Sequence, residues 1–417
     1  MRILLLTQWF PPEPQQFLLD LATSLHKRGH EVTVLTGLPN YPTGVIFPGY
    51  RIKLYQEEVL EGIRVIRVPL FADHSRSAVR RTANFFSFAL AAALLGPFLA
   101  PRVDVIHVIP PLTTGLAAWI ISRLRGIPFT YEVQDLWPET LAATGMVRNR
   151  GVLKMVGCFA LWFYGRAACI RVISPGFRRN LIGKGVPAEK IRFISNWVDT
   201  DFYRPLPPSE ELRGHFGFEH RFVVIYAGTI GPAQGLGCIL HTAALLQDIP
   251  DVLFAVFGAG IERDALSKQS TERGLTNVRF YPFHQTEQMP KIFALADVLM
   301  IHLNEDPLFS ITIPHKIFAY MACAKPILAA VRGDVADVVS DARAGVSCPP
   351  ANPSSMAEAV RHLRDLSEPE RAKMGANGRR AATELYGRNA LIARISEMLE
   401  GVTRSGLPRE PAGDRTL

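Results

Sequence analysis

The sequence contains a glycine-rich loop of a kind that can bind a phosphate group. Gly228, Gly231 and Gly235 follow an apolar run at 222–227 that is typical of a buried strand. Glycines at such a place let backbone N–H groups approach a phosphate closely, and the next helix presents its amino-terminal end there. The alternative is a tight strand-to-helix turn that binds nothing.

A lysine near the start of a later helical pattern could neutralise the same anion. Pro314 suits the first turn of a helix, and Ser310 or Thr312 could cap it. Free backbone N–H groups there, with Lys316 one turn in, would hold a diphosphate and stabilise the charge that develops on it as a leaving group. The alternative places Lys316 on a solvated helix face.

Acidic and aromatic residues follow an apolar run in the first half of the chain. Asp135, Trp137 and Glu139 come directly after the run at 128–133. Carboxylates accept hydrogen bonds from hydroxyl groups, and an indole can cover the apolar face of a sugar ring. We therefore predict that Asp135 and Glu139 orient sugar hydroxyls. Alternatively, Trp137 lies in the core and Glu139 caps a helix.

A polar loop at 38–44 is the fourth candidate. It follows an apolar run at 31–36 and contains Asn40 and Tyr41. Because loops carry binding residues more often than the elements they connect, we predict that Asn40 and Tyr41, with Trp137, contact an acceptor molecule.

The elements that must position these residues alternate between strand and helix. Near-continuous apolar runs separated by helical patterns predict parallel sheets covered on both faces, in a doubly wound α/β architecture. The predicted strands are 2–7, 31–36, 63–68, 103–108, 128–133, 169–173, 191–194, 222–227, 252–257, 278–281, 297–301 and 326–330.

The pattern restarts after a proline-rich break, which predicts two Rossmann-like domains. The chain of 417 residues is too long for one core. We expect the domains to span 1–205 and 209–387, an amphipathic helix at 388–400 to pack back on the first, and 403–417 to be disordered. Ligands of such sheets bind beyond the carboxyl ends of the strands, so the site should lie in a cleft between the domains.

The charge distribution and the composition limit the classes of partner that the protein could bind. Residues 1–205 contain 24 Lys and Arg against 14 Asp and Glu, a net of +10, whereas the rest of the chain has a net of −2. This asymmetry favours an anionic membrane surface, since no helix-turn-helix, zinc-finger or RNP motif indicates nucleic acid. Five dispersed cysteines and the lack of a signal-peptide pattern predict a cytoplasmic protein.

One segment has an alternative reading as a membrane helix. Residues 83–101 contain no charge and are flanked by Arg80, Arg81 and Arg102. We prefer the interpretation that this segment is a buried helix of the first domain. The second choice is a helix that also dips into the bilayer interface. Polar residues and a break at Gly96–Pro97 make it a poor membrane span.

Several distinctive motifs occur in order along the chain. They are WFPPE (9–13), RGHEVTVLTGLPNYPTG (28–44), QDLWPE (134–139), SPGF (174–177), NWVD (196–199), AGTIGPAQGL (227–236), ADV (296–298) and IPHKIFAYMACAKPILA (313–329). Together these motifs resemble the retaining GT-B glycosyltransferases of family 4, and more narrowly the fucosamine-transferase-like enzymes of O-antigen and capsule assembly. The resemblance covers residues 1 to about 400.

The resemblance implies a UDP-linked sugar donor on the second domain and a polyprenyl-diphosphate-linked saccharide acceptor on the first. It implies no cofactor and no metal, and a cytoplasmic enzyme peripheral on the inner face of the cell membrane. The predicted catalytic residues are Lys316, Asp135 and Glu139. The predicted donor-binding residues are Gly228, Thr229, Gln234, Gly258, Phe283, Thr312, Ile313 and Lys316.

The sequence departs from the family pattern in three places. The glycine-rich loop after the first strand is replaced by Glu13 to Phe17, and the usual pair of glutamates would fall at Ile311 and Ala319. Basic residues of the loop after 222–227 are also replaced, which leaves Lys316 as the local cation.

Two other function classes remain open at this stage. A non-hydrolysing UDP-sugar 2-epimerase would share the fold, but His107, His284, His302 and His315 are scattered. A non-catalytic scaffold subunit would bind a donor without transferring it. A dehydrogenase is disfavoured, because no strand is followed by a complete GxGxxG with an acidic residue about 20 positions on.

Overall fold

The computed structural model describes residues 1–75 and 77–405 and divides into two compact units. The first unit consists of Met1–Ile173, Phe177–Ile194 and, within the described residues, the chain from Ile392 to Ser405. The second consists of Ser174–Gly176 and Ser195–Leu391.

The first unit is built on a sheet of eight strands. Its strands are β1 (Arg2–Leu6), β2 (Glu31–Gly37), β3 (Gln56–Leu60), β4 (Ile63–Val68), β5 (Val105–Val108), β6 (Phe129–Val133), β7 (Cys169–Val172) and β8 (Ile191–Phe193). They lie in the order β3-β4-β2-β1-β5-β6-β7-β8, and only the edge strand β3 is antiparallel to its neighbour. The seven strands predicted for this unit are present, with bounds that differ by at most two residues, and β3 is additional.

The second unit is built on a six-stranded parallel sheet. Its strands are β9 (Phe222–Ala227), β10 (Val252–Phe257), β11 (Val278–Tyr281), β12 (Val298–His302), β13 (Ile327–Ala330) and β14 (Gly345–Cys348). They lie in the order β11-β10-β9-β12-β13-β14. Both faces of β9 and β10 are buried, as their continuous apolar sequences predict.

Helices cover the faces of both sheets. They are α1 (Gln16–Lys27), α2 (Ala78–Leu99), α3 (Thr114–Arg125), α4 (Glu139–Ala143), α5 (Arg150–Arg166), α6 (Pro175–Gly183), α7 (Glu210–Phe216), α8 (Gly237–Ala244), α9 (Arg263–Glu272), α10 (Met289–Ala294), α11 (Pro307–Ser310), α12 (Lys316–Ala322), α13 (Asp334–Asp341), α14 (Pro353–Asp365), α15 (Glu368–Glu384) and α16 (Arg388–Ser405). Two short 3-10 helices lie at Ala188–Lys190 and Thr286–Gln288.

The helix α2 corrects one expectation. The helix runs through Gly96 and Pro97 to Leu99, so the predicted break is wrong. A Cβ on Gly96 would contact Leu35 and Ile121, which shows how closely this part of the helix packs on β2 and α3. By length and composition the segment from residue 79 to 99 could cross a membrane, but only part of it is exposed.

The helix α16 contains residues of both units. From Ile392 onward it belongs to the first unit, where Ile395 and Leu399 are fully buried. Nε2 of His30 lies 2.7 Å from the hydroxyl of Ser396. The predicted disordered tail begins at 403, inside this helix, and its residues 406–417 lie outside the described part of the chain.

Three neighbouring strands of the first unit contain a buried charged cluster. Glu132 on β6 accepts hydrogen bonds from Arg171 on β7 and from Gln134, and Nε2 of His107 on β5 lies 3.4 Å from its carboxylate. Glu132, Arg171 and His107 are fully buried. Burial alone would raise the pKa of Glu132, but Arg171 and then His107 lower it to about 2.

Glu132→Ala should destabilise the protein by about 3–5 kcal/mol at neutral pH, because Arg171 would lose its buried carboxylate partner. The pKa of Glu132 is lowered from its ordinary value of 4.5, so the stabilisation is present above that pH and is lost as the pH falls toward 2. Chemical denaturation at several pH values measures both effects.

The control is Glu57→Ala, which removes an exposed ion pair with Arg64 at 3.0 Å and should cost less than about 1 kcal/mol. Equal losses for the two variants would show that the buried cluster does not support the sheet.

Candidate active site

The second unit has a topological switch point between β9 and β12, where ligands of doubly wound sheets bind. The loop after β9 crosses this point and is held on both sides. The N–H of Ile230 donates to the carbonyl of Ala259 beyond β10, at 2.9 Å. The N–H of Asn304, beyond β12, donates to the carbonyl of Ala233, also at 2.9 Å. The loop therefore has a fixed conformation at the carboxyl edge of the sheet.

The amine of Lys316 lies at this edge. Its Nζ is 3.8 Å from the centroid of the Tyr226 ring and donates to the carbonyl of Ala227 at 3.2 Å. A Cβ on Gly228 would lie 3.0 Å from it. Burial lowers the pKa of Lys316 to about 7. Among the described residues it makes one hydrogen bond, so donor capacity remains for a ligand.

Two tyrosines that the sequence analysis does not single out fix the end of β9. The hydroxyl of Tyr226 donates to the carbonyl of Thr229 at 2.6 Å. The hydroxyl of Tyr320 accepts from the N–H of Ala227 at 3.0 Å and donates to its carbonyl at 3.1 Å. Both tyrosines lie in apolar runs, where sequence reasoning places them in the core.

The predicted donor residues of the second unit differ in their accessibility. Gly228 and Thr229 are exposed at the end of β9, and Gln234 is partly exposed in the same loop. Phe283, after β11, is 68% exposed, whereas Gly258 is buried beneath the loop. Gly258 therefore supports the loop from below.

The predicted helix cap near Lys316 is wrong. The helix α12 begins at Lys316 itself, and the hydroxyls of Ser310 and Thr312 donate to carbonyls within α11 at 2.7 and 2.8 Å. Ile313 is 4% exposed and belongs to the core, so its side chain is out of reach of a donor.

A cavity of about 260 Å³ lies beyond the ends of β12 and β13 in the same unit. It is lined by the loop after β12, by α11, and by Val331 and Arg332. Exposed Arg332 lies 3.8 Å from Glu305 across it. The walls are therefore mixed apolar and charged.

In the first unit, a buried carboxylate joins the loops that follow β1 and β2. Glu13 is 2% exposed and accepts hydrogen bonds from the N–H groups of Phe10 at 3.0 Å, Asn40 at 2.9 Å and Tyr41 at 2.8 Å. Burial raises the pKa of Glu13, although these N–H groups oppose the rise. The residue that replaces the family's glycine-rich loop thus has a structural role.

The side chain of Asn40 is used inside the unit. It is fully buried, donates to the carbonyl of Leu38 at 2.9 Å and accepts from Asn84 at 3.3 Å. Direct contact of this side chain with an acceptor is therefore contradicted by its burial. Tyr41 is partly exposed, and its ring centroid lies 5.7 Å from that of Trp9 and 4.8 Å from that of His74.

The three candidates after β6 have different surroundings. Asp135 is exposed, and Trp137 is partly buried. Glu139 is the first residue of α4, and its Oε1 lies 2.5 Å from Nζ of Lys184. The side chain of Glu139 therefore has a positively charged partner in the folded unit.

Buried polar atoms that lack a hydrogen-bond partner among the described residues surround the ends of β5 and β6. The rings of Tyr131 and Tyr164 lie 5.7 Å apart. An unsatisfied buried polar atom costs free energy, so a bound water that supplies a partner is favoured here. The atoms are Oγ1 of Thr113 and Thr114, the hydroxyls of Tyr131 and Tyr164, Nε1 of Trp137 and Oε2 of Glu139.

No group of three or more His, Cys, Asp and Glu side chains in the described part of the chain is arranged to hold a metal ion. His302 is fully buried, with Nδ1 2.6 Å from the carbonyl of Gln234, and burial lowers its pKa. This histidine therefore links the loop after β9 to β12.

Comparison with known families matches each half of the chain to a model of one enzyme class. Residues 14–197 match the glycosyl transferase 4-like domain, and residues 209–381 match the glycosyl transferases group 1 model. This chain is a glycosyltransferase of the family 4 type. The epimerase alternative is set aside by these matches.

Individual relatives and structures agree with this assignment. The glycosyltransferase WcaI of Escherichia coli (strain K12), named for colanic acid biosynthesis, is 26% identical over 293 residues, which are 68% of this chain and 71% of WcaI. The crystal structure of Anabaena HepE in complex with UDP-glucose superposes with a TM-score of 0.72 at 19% identity, covering 96% of this chain and 100% of HepE. WaaG, described as a glycosyltransferase involved in lipopolysaccharide biosynthesis, superposes with a TM-score of 0.66 at 17% identity. The superposition covers 96% of this chain and 100% of the WaaG chain. The predicted GT-B fold of two Rossmann-like domains is thus confirmed.

Gly258→Ala should destabilise the protein by about 3 kcal/mol or more, because backbone strain and steric overlap both raise the free energy of the folded state. Gly258 has φ of 147°, and a Cβ there would overlap the carbonyl oxygen of Gly228. Chemical denaturation measures the loss.

Gly274→Ala is the control, because Gly274 has φ of 64° with no atom within 4 Å of an added Cβ. It should cost only the backbone penalty, about 1 kcal/mol. Equal costs at the two positions would mean that Gly258 is not needed for the packing of the loop.

Proposed function

We propose that this glycosyltransferase moves a sugar from a UDP-linked donor, with retention of configuration, to a lipid-linked saccharide during assembly of a bacterial surface polysaccharide. The observation that carries the proposal is the enclosed amine of Lys316 at the switch point of the second unit, beside the exposed backbone of Gly228 and Thr229. A cation beside exposed backbone at the carboxyl edge of such a sheet suits a diphosphate.

The donor would bind along the carboxyl edge of the second sheet. Its diphosphate lies against Lys316 and the loop from Gly228, and its uracil base lies near the exposed ring of Phe283. The complex of HepE with UDP-glucose, in the same fold, supports a donor of this class. Gln234, partly exposed in the same loop, is placed to contact the phosphates or the sugar.

The chemical step needs no protein nucleophile. The bond between the anomeric carbon and the diphosphate oxygen breaks first, in an ion-pair-like transition state. The acceptor oxygen then forms its bond to the same face of the anomeric carbon and gives its proton to the departing diphosphate. The charged amine of Lys316 stabilises the negative charge that develops on the leaving group.

The acceptor would bind at the carboxyl edge of the first unit. Asp135 is exposed there, and Glu139 is partly exposed. Their carboxylates can accept hydrogen bonds from saccharide hydroxyls. Trp137 would cover an apolar sugar face, and Tyr41 is a further contact.

The place of this reaction in the cell is part of the proposal. WcaI is named for colanic acid biosynthesis and WaaG is described as involved in lipopolysaccharide biosynthesis, which supports a role in a surface polysaccharide. The motif resemblance to fucosamine-transferase-like enzymes favours a hexose or an amino sugar as the group transferred. A lipid-linked acceptor would place the enzyme on the cytoplasmic face of the membrane, without a metal or cofactor.

The direct test follows UDP release from a panel of UDP-sugars in the presence of a bacterial lipid extract. Release that depends on one donor and on the lipid supports the proposal. UDP binding without release, repeated with defined lipid-linked acceptors, would instead indicate a non-catalytic subunit.

Lys316→Ala should lower turnover about 10²–10³-fold, because the leaving diphosphate would lose its cation. The matched control is Lys325→Ala. The amine of Lys325 also donates to a backbone carbonyl, that of Ala294 at 2.8 Å, but Lys325 lies before β13 at the opposite edge of the sheet. Near-normal turnover of Lys316→Ala would remove this residue from the mechanism.

Binding of UDP should take up a proton at slightly alkaline pH. The pKa of Lys316 is about 7 in the free protein, and a bound diphosphate favours the charged amine and raises that pKa. The affinity for UDP should therefore fall as the pH rises above 7. Calorimetric titrations at about pH 8, in two buffers of different ionisation enthalpy, measure the uptake.

Lys316→Met should abolish the difference between the two buffers. A wild-type enthalpy that is the same in both would contradict a titrating amine at the diphosphate site.

A further inference from the structure

One face of α2 is apolar and exposed along the length of the helix. Val79, Phe86, Leu90, Leu94 and Phe98 are exposed to 79, 51, 60, 61 and 85%. At 100° per residue these side chains lie within an arc of about 120°, over a length of about 29 Å. We name these five residues the α2 stripe. A patch of this extent on a folded unit indicates an interaction surface.

The opposite face of α2 is fixed to the first unit. Asn84, Phe88 and Ala92 are buried, and Asn84 accepts a hydrogen bond from Gln8 at 2.6 Å and donates to the carbonyl of Phe71 at 2.7 Å. A membrane-spanning helix would have to leave these partners. The helix can therefore lie on a membrane with the stripe inserted, but it cannot cross one while the unit stays folded.

The charge around the stripe is positive. Residues 74–103 contain four arginines, Arg76, Arg80, Arg81 and Arg102, and no Asp, Glu or Lys. Arg102 is exposed beyond the carboxyl end of the helix. Arg125 reaches the same end, where it donates to the carbonyl of Ala100 at 2.6 Å.

Two acidic residues flank the segment 74–103 in the sequence, and both are paired. Asp73 lies 2.7 Å from Arg80, and Asp104 lies 2.5 Å from Arg2. The negative charge of these two residues is therefore neutralised by arginines.

We propose that the α2 stripe inserts into the interface of an anionic phospholipid bilayer, with arginines at both helix ends on lipid phosphates. An apolar face about 29 Å long with basic ends matches a helix that lies in the interface plane. This inference does not depend on the donor or acceptor of the proposed function.

A second copy of the chain fits the same surface less well. Two stripes packed antiparallel would place Arg80 and Arg81 of one copy against Arg102 and Arg125 of the other. Packed parallel, they would place each arginine cluster against its own equivalent. Both arrangements bring like charges together, whereas lipid phosphates neutralise them.

The test is co-sedimentation of the full chain with phosphatidylcholine vesicles containing about 30% phosphatidylglycerol. Leu90→Asn with Leu94→Asn should lower the partition coefficient about tenfold or more, because two apolar side chains no longer insert. Neutral phosphatidylcholine vesicles should bind the wild-type chain more weakly, since the arginines lose their partners.

The matched control is Val59→Asn with Leu385→Asn, at positions that are 69 and 59% exposed outside α2. It should bind vesicles within about twofold of the wild type. UDP binding should be unchanged in both double variants, which separates loss of docking from loss of folding or of donor binding.

Three results would overturn the proposal. The first is vesicle binding by the α2 variant equal to that of the wild type, and the second is no binding by the wild type. The third is a wild-type dimer in sedimentation equilibrium that the α2 variant abolishes, which would identify a second copy as the occupant.

Discussion

When parallel strands are covered by helices on both faces, ligands bind at the loops that follow the carboxyl ends of the strands. This constraint applies to both units. Every β-strand but β3 runs in the direction of its neighbours, so the loops that follow the strands meet at the carboxyl edge. At the switch point of the second sheet, the loop after β9 crosses between neighbouring strands. The amine of Lys316 is desolvated there against Tyr226, and it acquires a pKa that an arriving anion can shift. The fold thus creates both the location and the electrostatics of the proposed donor site.

The loops at these edges are held by buried polar groups rather than by apolar packing alone. Glu13 accepts three backbone N–H groups, and Tyr320 both donates to and accepts from Ala227. Arg67, fully buried, donates to the carbonyls of Gly37 and Pro11 and to Glu58. Such groups are costly to bury without partners, and when they are fully bonded they hold a loop in one conformation.

The strands and the two-domain fold follow from the sequence because buried parallel strands are continuous apolar runs. The strand β3, with sequence QEEVL at a sheet edge, and the short β14 lack that signal. At the site, Lys316 and the loop from Gly228 are predictable from residue type and position. The burial of Asn40 and Ile313 is not predictable in this way, because it depends on which distant segments pack on the loop that contains each residue. For the same reason, the hydroxyls of Tyr131 and Tyr164 are recognised as lacking a hydrogen-bond partner only when their surroundings are known.

The path of α16 has a consequence for synthesis on the ribosome. The helix completes the core of the first unit with Ile395 and Leu399, although that unit begins at Met1. Domains usually fold as units in the order of translation. Here the apolar surface that α16 covers stays open until residues 392–405 have been translated, while the second unit can fold first. The amino-terminal unit therefore stays incomplete while the residues of the second unit are being added to the nascent chain.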